Sequence, residues 1–221
     1  GFSSNNNLPL QFRVNISLSS LFLMLRYIDR NKSHQAINYR NFIFIMTTTN
    51  QQYDQVVKDC KEIFLKKAKD YGTAWRVLRT ISIVDQIFIK AQRIRTIQEK
   101  GEQKVSDGIA TEFKGIINYA VIGLIQLQLP SDAPEEMNID EVSALYDKHI
   151  ITARSLMQDK NHDYGEAWRS MSQESFTDLI LMKLQRIRQI LSNDGKTIIS
   201  EGIDANYHDI INYAVFALIL M

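Results

Sequence analysis

Apolar side chains recur three and four residues apart along several stretches of the chain, and nowhere do they alternate at period two over a useful length. This pattern predicts an all-α protein without a sheet. Val56, Val57, Cys60, Phe64 and Leu65 mark a first helix over about Gln51 to Lys69, and a counterpart follows over about Val142 to Lys160. An Asp-Tyr-Gly triplet then breaks the pattern, glycine supplying the freedom to leave a helix, and a short turn carrying Trp75 or Trp168 follows. Ser82-Ile83-Val84-Asp85 and Ser175-Phe176-Thr177-Asp178 look like capping boxes and predict the openings of two second helices. Third helices are expected over about Ser106 to Leu129 and from about Ser200 to Met221.

The elements come in two sets because the sequence repeats itself. Asp70-Tyr71-Gly72-Thr73-Ala74-Trp75-Arg76 matches Asp163-Tyr164-Gly165-Glu166-Ala167-Trp168-Arg169, and Lys90-Ala91-Gln92-Arg93-Ile94-Arg95 matches Lys183-Leu184-Gln185-Arg186-Ile187-Arg188. Ile116-Ile117-Asn118-Tyr119-Ala120-Val121 matches Ile210-Ile211-Asn212-Tyr213-Ala214-Val215. The offset is 93 residues up to the arginines and 94 after them, so one residue is inserted near Gly101 and Gly195. The chain divides into an extension over 1–45, a three-helix copy one over 46–129, a linker over 130–141 that opens with Pro130 and Pro134, and copy two over 142–221. A unit this long suits two halves packed about a pseudo-two-fold axis better than a solenoid. Such a chain is either a self-sufficient pseudo-dimer or a protomer that pairs again as a homodimer.

The first 45 residues stand apart. They are Asn-rich at Ser3 to Asn7, and their apolar run from Val14 to Tyr27 is interrupted by polar residues, short of the roughly 20 continuous apolar residues of a membrane span. They also lack a small-residue cleavage site. Met46 leads directly into the first repeat and is the expected natural start. With 45% apolar and 23% charged residues, the rest can fold around a real core, and a net charge of +1 implies no extensive face for duplex nucleic acid. The single cysteine, Cys60, excludes an internal disulfide and suits a reducing compartment, so a cytoplasmic location is expected.

Candidate chemistry lies on the second and third helices. Glu201 and Asp204 are three apart and Asp209 follows. Such carboxylates suit a hard cation, Mg²⁺, with Glu201 and Asp209 as the catalytic acids of a metal-assisted hydrolysis. Copy one differs: Asp107 stands opposite Glu201, Ala110 opposite Asp204, Gly115 opposite Asp209, and Glu112, a further candidate ligand, opposite Asn206. Acids in a first helical turn also complement the helix dipole without binding anything. Lys90 and Arg93, with Lys183 and Arg186, are spaced to receive a phosphate or to form a salt-bridged face, whereas Arg95 and Arg188 are expected to be solvated. Asn118 and Asn212 interrupt strongly apolar helices, so each makes either a helix-to-helix hydrogen bond or a ligand contact. Trp75 and Trp168, with Tyr71 and Tyr164, are core anchors or stacking faces for a base, and Arg169 can reach a phosphate. No Gly-rich phosphate loop and no HExxH motif is present.

The succession Asp-Tyr-Gly-x-x-Trp-Arg, Ser-x-x-Asp, Lys-x-x-Arg-Ile and Glu-Gly-Ile followed by Asp-Ile-Ile-Asn-Tyr-Ala resembles the nucleotide modification associated domain 1 family of bacteria and phages. Copy two carries the pattern most fully, through Asp163, Tyr164, Gly165, Trp168, Arg169, Asp178, Lys183, Arg186, Glu201, Asp209, Asn212 and Tyr213. The resemblance implies a role linked to nucleotide or DNA-base modification. A looser likeness to MazG-type all-α pyrophosphohydrolases implies Mg²⁺ held by paired acids, although copy one has no Glu-x-x-Asp pair in its third helix. Two function classes follow: a nucleotide or deoxynucleotide phosphohydrolase using Mg²⁺, and a helical module that binds a nucleotide or protein partner without turnover.

Overall fold

A capped start and a glycine end set the limits of α1 (Thr49–Tyr71) in the computed structural model, which describes residues 48–102, 108–130, 132–197 and 201–221. Thr48 and Gln51 satisfy each other's backbone N–H groups as a capping box, and Gly72 leaves the helix at φ 60°. A short 3-10 turn (Ala74–Val77) leads to α2 (Thr80–Lys100) and α3 (Ile109–Gln128). The second copy repeats the order as α4 (Ile139–Tyr164), a turn (Ala167–Ser170), α5 (Gln173–Ser192) and α6 (Ile203–Ile219). Among the described residues there is no strand, so the all-α expectation holds. The extension over 1–45, Met46, Ser106, Asp107 and Ser200 lie outside the described residues.

The second helices begin earlier than the Ser-x-x-Asp pattern predicts. Ser172, not Ser175, caps α5, accepting a bond from the Ser175 backbone N–H, and α2 opens after Arg79 with no side-chain cap. Ser82 and Ser175 therefore sit within first turns. The third helices also start late, at Ile109 and Ile203, after Gly108 and Gly202.

Helices α2, α3, α6 and α5 pack in a closed ring, each on the next, while α1 and α4 lie against α3 and α6 and against each other. Residues 47–221 form one compact unit, and a single apolar core runs through both copies, from Tyr53 and Phe64 through Phe113 and Ile117 to Phe176, Ile210 and Ile211. The linker divides the sequence repeat but not the core. Where α3 meets α6 the approach is close enough to need glycine, since a Cβ on Gly123 would lie 2.6 Å from the Tyr207 ring.

Contacts between the copies are reciprocal. The Tyr53 hydroxyl of α1 donates to Asn212 Oδ1 on α6 at 2.9 Å, and its counterpart Tyr146 on α4 donates to Asn118 Oδ1 on α3 at 2.9 Å. Each asparagine then donates from Nδ2 to the first helix of its own copy, Asn118 to the Cys60 carbonyl at 3.1 Å and Asn212 to the Ala153 carbonyl at 3.0 Å. Cys60 and Ala153 are equivalent positions. The ion pairs Lys61–Asp147 and Arg154–Asp54 exchange equivalent residues, as do Arg188–Asp85 and Arg95–Asp178. This is the isologous pattern of a two-fold dimer interface, built within one chain. Surface pairs of this kind contribute little stability and chiefly fix the register between the copies.

Candidate functional site

In copy two, α4, the Trp168 turn and α6 enclose a cleft of about 220 Å³. Its shape follows from local sequence. Gly165 ends α4 in the left-handed region at φ 61°, which turns the chain so that Trp168 folds back and stacks on Phe216 of α6 at 4.1 Å with rings 6° from parallel. The Arg169 guanidinium lies 4.4 Å from the same indole and donates to Thr49 and Gln52 at the start of α1, at 2.6 and 2.7 Å. In copy one, Arg76 holds the linker carbonyls of Ala133 and Pro134. Each Trp-Arg turn thus clamps the entry to the other copy's first helix.

Charge in the cleft centres on Asp209. Lys183 Nζ on α5 lies 2.5 Å from Asp209 Oδ2, and Lys160 Nζ on α4 lies 2.6 Å from Oδ1. The Lys183 and Asp209 side chains are 7% and 9% exposed, whereas Lys160 is 53% exposed. Burial alone would raise the Asp209 pKa, but hydrogen bonds and charge from the two lysines outweigh it and hold the carboxyl below its usual value. Burial works to lower Lys160, and its bond to Asp209 reverses the direction. Two ammonium groups facing one carboxylate leave a cationic excess. Arg186 on α5 and Glu201 both act electrostatically on Tyr213, whose hydroxyl pKa is raised chiefly by burial. The Trp168 indole Nε1 is buried and has no hydrogen-bond partner.

The expected residues are distributed as follows. Lys183, Asp209, Asn212, Trp168 and Tyr213 come together, with Arg169 against the tryptophan. The amides of Asn118 and Asn212 make helix-to-helix hydrogen bonds, the first of the two alternatives their sequence left open. Lys90 and Arg93 of copy one both pair with Glu112. Arg95 and Arg188, expected to be solvated, instead reach across to the other copy, and Arg188 also lies 4.2 Å over the Phe88 ring.

The acids do not converge as a Mg²⁺ set. Glu201 precedes the N-cap Gly202 and so is not one helical turn from Asp204, and Asp204 lines a different cleft with His149 and His208. Five residues along a helix turn the direction by roughly 140°, which separates Asp204 from Asp209. Glu112 and Asp209 are each engaged by two cations. Among the described residues no group of three His, Cys, Asp or Glu side chains is placed to hold a metal ion.

Sequence reasoning missed Lys160. The signal was present, for Lys67 and Lys160 occupy equivalent places three residues before each Asp-Tyr-Gly triplet.

The family model described as nucleotide modification associated domain 1 matches the chain twice, over residues 67–127 and 160–221, which together exceed half its length. Both matches begin at those lysines. Comparison with curated proteins and with solved structures gives no significant match.

Proposed function

The chain belongs to the nucleotide modification associated domain 1 family, in two tandem copies, and from that premise we propose that copy two binds a nucleotide or deoxynucleotide in the Trp168 cleft. The observation that carries this reading is the cationic excess around Asp209. Lys160, half exposed, is able to turn its ammonium to a phosphate while the buried Lys183 stays on Asp209. Arg186 adds charge nearby. Trp168, whose buried Nε1 has no hydrogen-bond partner, lines the same cleft, and Tyr164, 74% exposed at its edge, offers a ring face to a base.

The reading is one of recognition, with any hydrolysis depending on ions or groups that arrive with the ligand. A second reading, a non-catalytic module for a protein partner, is favoured by the reciprocal contacts that consume both asparagines and both Trp-Arg turns. Thermal unfolding with a panel of ribo- and deoxynucleotides, with and without Mg²⁺, separates the two. At a hundred times Kd, binding to the native state adds about 2.7 kcal/mol, a rise in Tm of roughly 5 °C or more for a domain of this size. The rise is expected to vanish in Lys160→Ala. No rise with any nucleotide transfers the weight to the partner-binding module.

A further inference from the structure

A second, larger cleft of about 530 Å³ lies between the copies, where the end of α3 meets α4 and the start of α6. Leu124, Leu127 and Ile203 supply apolar walls, and His149, His208 and Asp204 supply polar groups. His149 is 9% exposed and His208 8%, and the Nε2 atom of each is buried without a hydrogen-bond partner. Unsatisfied buried nitrogens are costly, and here two of them belong to residues that line one cavity, so a partner from outside the chain would relieve them.

The fold itself does not require this pair. The equivalent positions in copy one are Val56 for His149, Lys114 for His208 and Ala110 for Asp204. Lys114 pairs with Asp59, and the residue equivalent to Asp59 is Thr152, which lines the cleft. Copy one thus carries an ion pair at the equivalent place, whereas copy two has a cavity with two histidines in its lining.

We propose that this cleft binds a small uncharged heterocycle of nucleobase or nucleoside size, hydrogen-bonded to His149 and His208 through their ring nitrogens and flanked by Leu124, Leu127 and Ile203. A neutral imidazole offers one N–H and one bare nitrogen, and the amide-like edge of a base, with donors and acceptors side by side, satisfies either tautomer. Burial, then the neighbouring His208 and Lys148, draws the His149 pKa down to about 4, and burial lowers that of His208, so both rings are neutral near pH 7. A phosphate is disfavoured. Lys148, the cation among the described lining residues, already donates to Gln128 at 2.8 Å, and Asp204 opposes an anion. A metal ion needs far less volume, and among the described residues no third ligand of the His, Cys, Asp or Glu type converges here. The volume suits a compact organic ligand.

This assignment does not rest on nucleotide binding at the Trp168 cleft. The test uses ¹H–¹⁵N spectra of the histidine rings in the full chain, titrated with adenosine, guanosine, cytidine, thymidine and the four free bases, and separately with inorganic phosphate and Zn²⁺. At least one base or nucleoside is expected to shift both Nε2 signals saturably. The shift is expected to persist in Lys160→Ala and to weaken about tenfold or more in His208→Ala and in Ile203→Trp, which fills the cavity. The proposal is overturned if no base or nucleoside moves either signal, if only zinc or phosphate does, or if Lys160→Ala abolishes the shift and Ile203→Trp leaves it intact. Should either cleft variant fail to fold, the wild-type spectra and Lys160→Ala still decide.

Discussion

Copy one and copy two place the same lysine, Lys90 or Lys183, on the second helix against an apolar third helix, and they neutralise it with acids one turn apart. Lys90 meets Glu112, whose counterpart is Asn206; Lys183 meets Asp209, whose counterpart is Gly115. In copy one the lysine stem lies over the glycine so closely that a Cβ on Gly115 would fall 2.9 Å from Lys90 Cε. In copy two the carboxylate occupies that place and draws Lys160 in as well. A buried cation must have a counter-ion, but its register is open, and moving the acid by one turn decides which cations gather around it.

The largest expected effect tests that difference directly. Asp209→Asn removes the counter-ion of a lysine that is almost wholly buried, so a loss of about 3 kcal/mol is expected in urea unfolding. Glu112→Gln is expected to cost nearer 1 kcal/mol, because Lys90 and Arg93 are each about a quarter exposed and can rehydrate. Equal losses would mean that the two registers are energetically the same. The pH dependence has a definite sign. The folded-state pKa of Asp209 lies below its ordinary 3.8, so its contribution is complete above that value and is lost as the pH falls through the lowered one. In Asp209→Asn that acid-side decline is expected to shrink.

Much of this arrangement was legible in the sequence. The repeat, the six helices of the described residues and the polar interruption at Asn118 and Asn212 could all be read from spacing. The helix starts could not, because Ser172 and Ser175 are both acceptable caps and only tertiary packing chooses between them. The same shift removed the i, i+3 relation of Glu201 and Asp204, since Gly202 ended up as the N-cap. Arg95 and Arg188 looked solvated because their partners, Asp178 and Asp85, lie on the other copy, and local periodicity carries no information about a pseudo-two-fold axis. Lys160 was overlooked for a similar reason. It sits on the first helix, whereas the acid it serves sits on the third.

Where the copies touch, symmetry predicts equal effects only for exchanged pairs such as Tyr53 and Tyr146, and the two close-packed glycines, which have no glycine counterpart, are expected to differ. Gly123→Ala forces a methyl into the fully buried Tyr207 ring and is expected to cost about 2 kcal/mol, whereas Gly115→Ala meets only the flexible end of Lys90 and is expected to be near neutral. Tyr53→Phe and Tyr146→Phe each strand a buried asparagine oxygen, for an expected loss of about 1 to 2 kcal/mol apiece. Matching losses support two interchangeable half-interfaces. A loss from one alone would show that a single copy carries the contact.

The smallest effect at neutral pH should come from His149→Val, which installs the residue that copy one has at the equivalent position, Val56. Near pH 7 the ring is neutral in the folded and largely neutral in the unfolded chain, so protonation contributes little there, and relief of the unsatisfied Nε2 is offset by the smaller volume of valine, for a small net change. The two proteins should part as the pH falls. The unfolded chain protonates this histidine at its ordinary value of 6.5, the folded chain only near 4, so between these values the unfolded state binds more protons and wild-type stability declines. Urea titrations at half-unit steps between pH 7 and 4 are expected to give a shallower slope for His149→Val than for wild type. Identical slopes would mean that the ring is hydrated at little cost, and would remove the contrast between an imidazole-lined copy two and an aliphatic copy one.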